Sequence, residues 1–271
     1  MTPSEVKIFH IVRSERTGHY MAYYREKNWK AIKASLPPIP AKTLIPPDEI
    51  GRVDPGDLAS IQPRPHQDKW LLLDLSRHAN RSLLDEGQQE NAKTFLGGVG
   101  VGENDLSSLP TGLQTLLDIP FYIIDSKENE NSVLITKTSG RPWLGPLEFP
   151  SIPVRSQAQR IHWLWGSGWA PYDLPVGYVR YNYSDGTSVS DNVICSRNIS
   201  NWWGYSDRSE NPTLRRAWSG STPAASRNYT SVGLYHYAWE NPHPEKTIDT
   251  IDIVSYGGDA CIITVGITAE K

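Results

Sequence analysis

From Lys69 onward, apolar and polar positions alternate in short runs, and Gly, Pro, Asn and Asp interrupt the runs at close intervals. A period of two places alternate side chains on one buried face, and punctuation at this spacing is that of an antiparallel sandwich. The pattern predicts strands over 69–75, 119–125, 132–138, 147–154, 159–165, 176–183, 187–194, 231–239, 247–255 and 261–268. Ile161, Trp163 and Trp165 share one face, and Tyr235, Tyr237 and Trp239 share another; each trio reads as core. Between two runs, Tyr183-Ser184-Asp185-Gly186-Thr187 is a tight-turn signal whose Asp-Gly pair favours a primed hairpin turn. Ser82 to Lys93 is read as a helical turn or two, weakened by Gly87, and no strong amphipathic helix interrupts the strands.

The first part of the chain has another texture. Residues 5–13 and 19–25 are apolar-rich and β-favouring, and Ser14-Glu15-Arg16-Thr17-Gly18 between them reads as a hairpin loop. A short helix is read around 28–34. Leu36-Pro37-Pro38-Ile39-Pro40 and Ile45-Pro46-Pro47 then remove backbone donors and fix φ, so the stretch to about Pro65 reads as extended linker. The expected organisation is an N-terminal hairpin with a proline-rich linker over 1–65 and an all-β, jelly-roll-like sandwich over 66–271.

Composition narrows the function classes. The chain has 10 Trp and 13 Tyr against 4 Phe and 2 Met, so much of its aromatic surface carries an N–H or O–H suited to a wet boundary. Strands use these residues for packing as well. With 27 basic and 30 acidic residues the formal charge is −3, and no basic block offers the footprint of counterion-release binding, so nucleic acid is not expected as a partner. No apolar run is long enough to span a bilayer, and the opening residues lack the regions of a secretory signal. The expectation is a soluble chain without a membrane partner, either cytoplasmic or cut from an exported protein. Cys195 and Cys261 are too far apart for a zinc knuckle and too few for a disulfide scaffold. Cys261 stands in phase with Ile263, Val265 and Ile267, as a buried free thiol would.

Motifs of catalytic chemistry are sparse in the chain. Gly97-Gly98-Val99-Gly100-Val101-Gly102 is followed by no Lys-Ser/Thr and reads as a plain glycine loop. A glycosidase needs two carboxylates across the scissile bond; Asp173, Asp185, Asp207, Glu210 and Glu240 lie in aromatic surroundings, with no spacing that pairs them. No Gly-x-Ser-x-Gly elbow and no His-x-x-x-His zinc spacing occurs. His162 and His236 sit within strand patterns and read as structural.

Four elements, in order, carry a resemblance. They are Asn104-Asp105-Leu106-Ser107-Ser108-Leu109-Pro110-Thr111-Gly112 with Ile119 to Asp125, then Tyr181 to Gly186, Asn198 to Trp203, and Trp239 to Ile248 ahead of Thr264 to Thr268. Together they resemble bacterial galactose-binding-like sandwich domains, the kind of carbohydrate-binding module appended to carbohydrate-active enzymes. The resemblance covers roughly Lys69 to the C-terminus and implies a jelly roll. It also implies a structural calcium ion as an option, for which Asp74, Asn80 and Asp85 offer oxygens; no other cofactor is expected.

Two aromatic loops are the candidate recognition site. Trp202-Trp203-Gly204-Tyr205-Ser206-Asp207-Arg208 is one, and Gly168-Trp169-Ala170-Pro171-Tyr172-Asp173 is the other. Ring faces stack on the C–H faces of sugars while Asn, Asp and Arg pair with hydroxyls. Trp169, Tyr172, Trp202, Trp203, Tyr205, Asp207 and Arg208 are therefore the candidate ligand-binding residues. The competing reading is a tryptophan plug closing one end of the sandwich. The function expected is non-catalytic carbohydrate recognition, with two alternatives open: a protein-interaction or sensor domain in the same fold, and an unrecognised polysaccharide hydrolase or lyase.

Overall fold

The alternation becomes two antiparallel sheets that share a core. The structure, a computed structural model, describes residues 69–85, 95–96, 103–141, 144–204 and 214–271, together with the backbone of 8–13 and 20–24. The chain divides into two compact units, Met1–Ile45 and Pro46–Lys271. In the first, strands β1 (Ile8–Arg13) and β2 (Tyr20–Tyr24) pair antiparallel. The turn or helix read over 82–93 lies largely outside the described residues, as do the glycine loop 97–102, the helix read around 28–34 and the proline-rich stretch.

The second unit holds β3 (Trp70–Leu72), β4 (Gly112–Leu116), β5 (Ile119–Ile123), β6 (Leu134–Ile135), β7 (Glu148–Gln157), β8 (Arg160–Gly168), β9 (Pro175–Tyr183) and β10 (Ser188–Ile194). It continues with β11 (Leu214–Gly220), the short helix α1 (Pro223–Arg227), β12 (Val232–Glu240), β13 (Thr247–Ser255) and β14 (Cys261–Glu270). The smaller sheet runs β10-β9-β13-β7 and the larger β11-β12-β8-β14-β3, with β6 added on β14. Every predicted strand from 69 onward appears, displaced by a few residues at its ends. Two strands and a helix were not read from the pattern: β4, β11 and α1. Polar residues interrupt β4 and β11, and α1 spans five residues, capped by the Thr222 hydroxyl accepting from the Ala225 N–H at 3.0 Å.

The core explains the tryptophans. Ile161, Trp163 and Trp165 on β8 lie beside Trp239, Tyr237 and Tyr235 on β12, in that antiparallel order. The β8 trio and Trp239 are buried between the sheets, against Ile152, Val179, Tyr181, Ile251 and Ile253 of the smaller sheet. Trp163 stacks on Trp165 at 4.7 Å between centroids, and Tyr181 stacks on Trp239 at 3.6 Å across the sandwich. The larger sheet is covered on its outer face too. A second cluster packs Leu164, Leu234, Ile263 and Val265 against Phe121 of the β4–β5 hairpin, Leu106, Trp218 and Ala225. Burial on both faces is why β8 and β14 read as near-continuous apolar runs, Cys261 included.

One turn differs from expectation. Of the turn residues after Tyr183, only Gly186 has a positive φ (83°), and the Gly186 N–H reaches the Tyr183 carbonyl at 3.0 Å. That is a type I turn with glycine at the bulge position, not a primed turn, which needs two left-handed residues. Asp185 spends its carboxylate on Thr187 and Lys246 instead.

Candidate functional site

Strand register places the ends of β8, β10 and β13 and the starts of β7, β9 and β14 together, since Cys261 pairs with Gly168, Ile194 with Pro175 and Val254 with Glu148. Among the described residues, six large apolar side chains are exposed, and four of them sit at this end: Leu147, Trp169 (40%), Tyr172 (50%) and Tyr256 (55%). The end is therefore an aromatic rim, not a random scatter of surface rings.

The rim is held rigidly. Trp169 and Asp173 have left-handed backbones (φ 55° and 57°), and so does Ser196 (φ 71°) in the facing turn. Such conformations cost of order 1–3 kcal/mol each for residues with a side chain and persist where the surroundings over-determine them. Asn201 does so here. Its amide oxygen accepts from the Ala170 N–H at 2.9 Å and its amide nitrogen donates to the Ala170 carbonyl at 2.9 Å, clasping the loop as a neighbouring strand would. The Asp173 N–H donates to the Cys195 carbonyl, and Arg197 Nε donates to Asp173 Oδ1 at 2.7 Å. Asn198 closes its own turn through Ile194 N–H and the Asn192 carbonyl, each at 2.7 Å, and its backbone carbonyl takes the Trp165 indole N–H. The two aromatic loops are thus hydrogen-bonded side by side.

The Arg141 guanidinium lies over the Trp169 ring at 4.2 Å from its centroid, and the residue stays 40% exposed beside it. Tyr256 spreads over the outer face of the smaller sheet beside Tyr178, and its hydroxyl donates to Asn192 Oδ1 at 3.2 Å. Ser139 Oγ donates to Asp259 Oδ1 at 2.6 Å on the neighbouring loop.

The expected site residues divide three ways. Trp169 and Tyr172 are on the rim. Trp202 is not: it is 3% exposed, meets Phe95 edge to face at 4.9 Å and packs in the cluster on the outer face of the larger sheet, where it is a core residue and not a cap on one end of the sandwich. The reason is local. The 201–204 segment runs along the larger sheet, with Trp202 N–H bonded to the Ser167 carbonyl and the Gly233 N–H to the Trp202 carbonyl, which turns that indole inward. Trp203 is half-buried against the same cluster. Tyr205, Asp207 and Arg208 lie outside the described residues. Arg141, Arg197, Asn201 and Tyr256 were missed, because a rim assembled from separate turns has no local motif; the adjacency of Arg197 to the Trp-Trp loop was the one available signal.

The remaining candidates have other partners. Asp173 pairs with Arg197, and Glu240 with Arg160 at 2.5 Å; Asp207 and Glu210 lie outside the described residues. Asp74 Oδ1 accepts from the Ser76 N–H, and the Asn80 side chain is engaged with the backbone of Ile135 and Leu144. No group of three or more His, Cys, Asp or Glu suited to a metal occurs among the described residues.

His162 and His236 are buried in a chain. Glu270 Oε2 lies 3.1 Å from His162 Nε2, and His162 Nδ1 lies 2.9 Å from His236 Nε2. The carboxylate only accepts, so His162 Nε2–H donates to it, and His236 Nε2–H must donate to the remaining lone pair of His162. His236 Nδ1 then carries an unshared lone pair with no partner among the described residues. Burial, the neighbouring His162 and Arg215 push the His236 imidazolium down to about 3.

Comparison of the chain with family models, with curated proteins and with solved structures finds no match in any of the three. No helix among the described residues is long and apolar enough to cross a membrane.

Proposed function

We propose that this chain is a non-catalytic carbohydrate-recognition module, built as a galactose-binding-like jelly roll, that engages glycans at the aromatic end of its sandwich. The supporting observation is the exposure of Trp169 and Tyr172 at one end of the sandwich beside Arg141 and Arg197, with Tyr256 and Asn192 flanking them on the outer face of the smaller sheet. Flat rings held in place lose little conformational entropy on binding, and a ring face flanked by fixed donors and acceptors fits a sugar's C–H face and hydroxyls. The carboxylates near the rim are engaged with Arg197 or Ser139, an arrangement suited to orienting a ligand. The resemblance of the ordered sequence elements to modules found beside carbohydrate-active enzymes points the same way.

The test is a glycan array probed with the full chain, repeated with Trp169→Ala and Tyr172→Ala. Selective glycan binding that both changes weaken supports the reading. Binding to a protein partner without any glycan signal favours the interaction-domain alternative. Turnover of a polysaccharide would instead establish an enzyme.

A further inference from the structure

We infer that the groove between β10 and β12 is a second contact region for the same ligand, taking an uncharged sugar unit next to the one on the aromatic rim. This inference rests on the carbohydrate-recognition reading and adds to it a ligand length and a charge class.

β10 is the edge of the smaller sheet, and its inward-facing positions are Val189, Asp191 and Val193. Val193 is buried in the shared core and Val189 packs against it, so Asp191 points a carboxylate into the open mouth of the sandwich. An interior carboxylate is costly unless it is paired. Its partner is Tyr237 on β12, whose hydroxyl donates to Asp191 Oδ2 at 2.9 Å. The Tyr237 ring stacks nearly parallel on Trp165, 10° between planes, which fixes where that hydroxyl sits. Around the pair lies an open groove of about 350 Å³ lined by Ser190, Asn192, Arg197 and Asn198 as well. A fixed carboxylate and a fixed phenol, with the Arg197 guanidinium on the groove's lining, are acceptors and donors of the kind that sugar hydroxyls use.

Continuity and charge narrow the ligand. Arg197 lines the groove and also holds Asp173 beside Tyr172, so groove and rim share a residue. The groove is lined along β10 from Ser190 to Ile194, so a ligand that fills it and also reaches Tyr172 on the rim is longer than a single ring. Asp191 brings a negative charge to the groove, and the cation that lines it among the described residues, Arg197, is paired with Asp173. A uronate or sulfated unit is disfavoured there by like-charge repulsion. Burial raises the Asp191 acid above the ordinary carboxylate range, opposed by Tyr237 and Asn198. An inward charge also guards an edge strand against pairing with other chains, which is the purely structural role to be distinguished.

The full chain is screened by affinity electrophoresis against glucan, mannan, xylan and galactan, with polygalacturonate as the acidic comparison. Calorimetry then compares the monosaccharide with a tetrasaccharide of the strongest binder. The wild-type chain is expected to gain at least about tenfold in affinity with length, the effect of one or two hydrogen bonds to partly buried partners. Asp191→Asn and Tyr237→Phe should each lose most of that gain while monosaccharide affinity stays near wild type; Tyr237→Phe, which takes the phenol partner from the inward carboxylate, should also lower the melting temperature, and Asp191→Asn should lower it less. If both variants keep the full gain, or lose only stability or solubility, Asp191 is an edge guard and the inference fails; Trp169→Ala still weakening binding would leave the recognition reading intact. Binding of polygalacturonate alone overturns the charge class and with it the groove assignment. Absence of all glycan binding overturns both readings.

Discussion

At the scale of single residues, the two tryptophan loops make opposite forecasts. Trp202→Ala removes a core indole and should cost about 3–5 kcal/mol of stability, seen as a large drop in melting temperature. Trp169→Ala should leave the melting temperature near wild type and cost about 1–3 kcal/mol of glycan affinity. The histidine chain sets an acid limit. Above pH 6.5 His236 is neutral folded or unfolded; below it the unfolded chain takes up a proton that the folded site refuses until about pH 3. Burial lowers His162 as well. Glu270 adds to the loss lower down: burial pushes its pKa up but is outweighed by Lys69, His162 and Arg160, which hold it at about 2 against 4.5. Denaturant titrations should therefore show stability falling from about pH 6.5 downward, steepening below pH 4.5, with His236→Phe flattening the upper part of the curve. No change in stability between pH 7 and 5 would contradict this. The thiols are the simplest case. Burial lifts Cys195 to about 11 and Cys261 to about 12, so neither should react with a thiol reagent in the folded protein and both should react once it is unfolded.

At the scale of elements, β9 and β13 approach each other at a glycine. A Cβ at Gly177 would meet the Val254 carbonyl oxygen well inside contact distance, with Ile262 at 3.0 Å behind it. Backbone leaves no room to yield, so Gly177→Ala should destabilise by about 1–3 kcal/mol, measured by chemical denaturation. Gly186 is the contrasting case: nothing lies near its Cβ position, and its cost comes only from the positive φ, so Gly186→Asn should be tolerated far better than Gly186→Val. The β4–β5 hairpin covers the histidine pair, with Phe121 edge-on to His236 and the Thr268 hydroxyl donating to the Pro120 carbonyl at 2.6 Å. Acid strain at the histidines is expected to register first in that hairpin, as early loss of amide protection over 112–123 in hydrogen exchange.

At the scale of the molecule, the described residues of both hydrophobic clusters run from Trp70 to Ala269. A fragment spanning 64–271 is therefore expected to melt cooperatively at a temperature close to that of the full chain. A fragment that is unfolded by circular dichroism would mean that the first unit contributes to the core.

The sequence by itself determined the strand class, the approximate position of most strands, the inward trios of β8 and β12 and the burial of Cys261. Each of these depends on a period of two, which is local. It did not reveal β4 or β11, whose polar interruptions hide the pattern, nor that Trp202 faces inward, because adjacent residues on an irregular segment have no fixed face. The type I geometry after Tyr183 was also hidden: Asp185 engages Lys246 from β13's side of the sheet, a partner distant in the chain. Only the tertiary structure decided which turns meet. Trp169, Tyr256, Arg141 and Arg197 lie on four separate connections, and their convergence follows from strand order and register, which are set by long-range pairing and leave no mark on any one stretch of sequence.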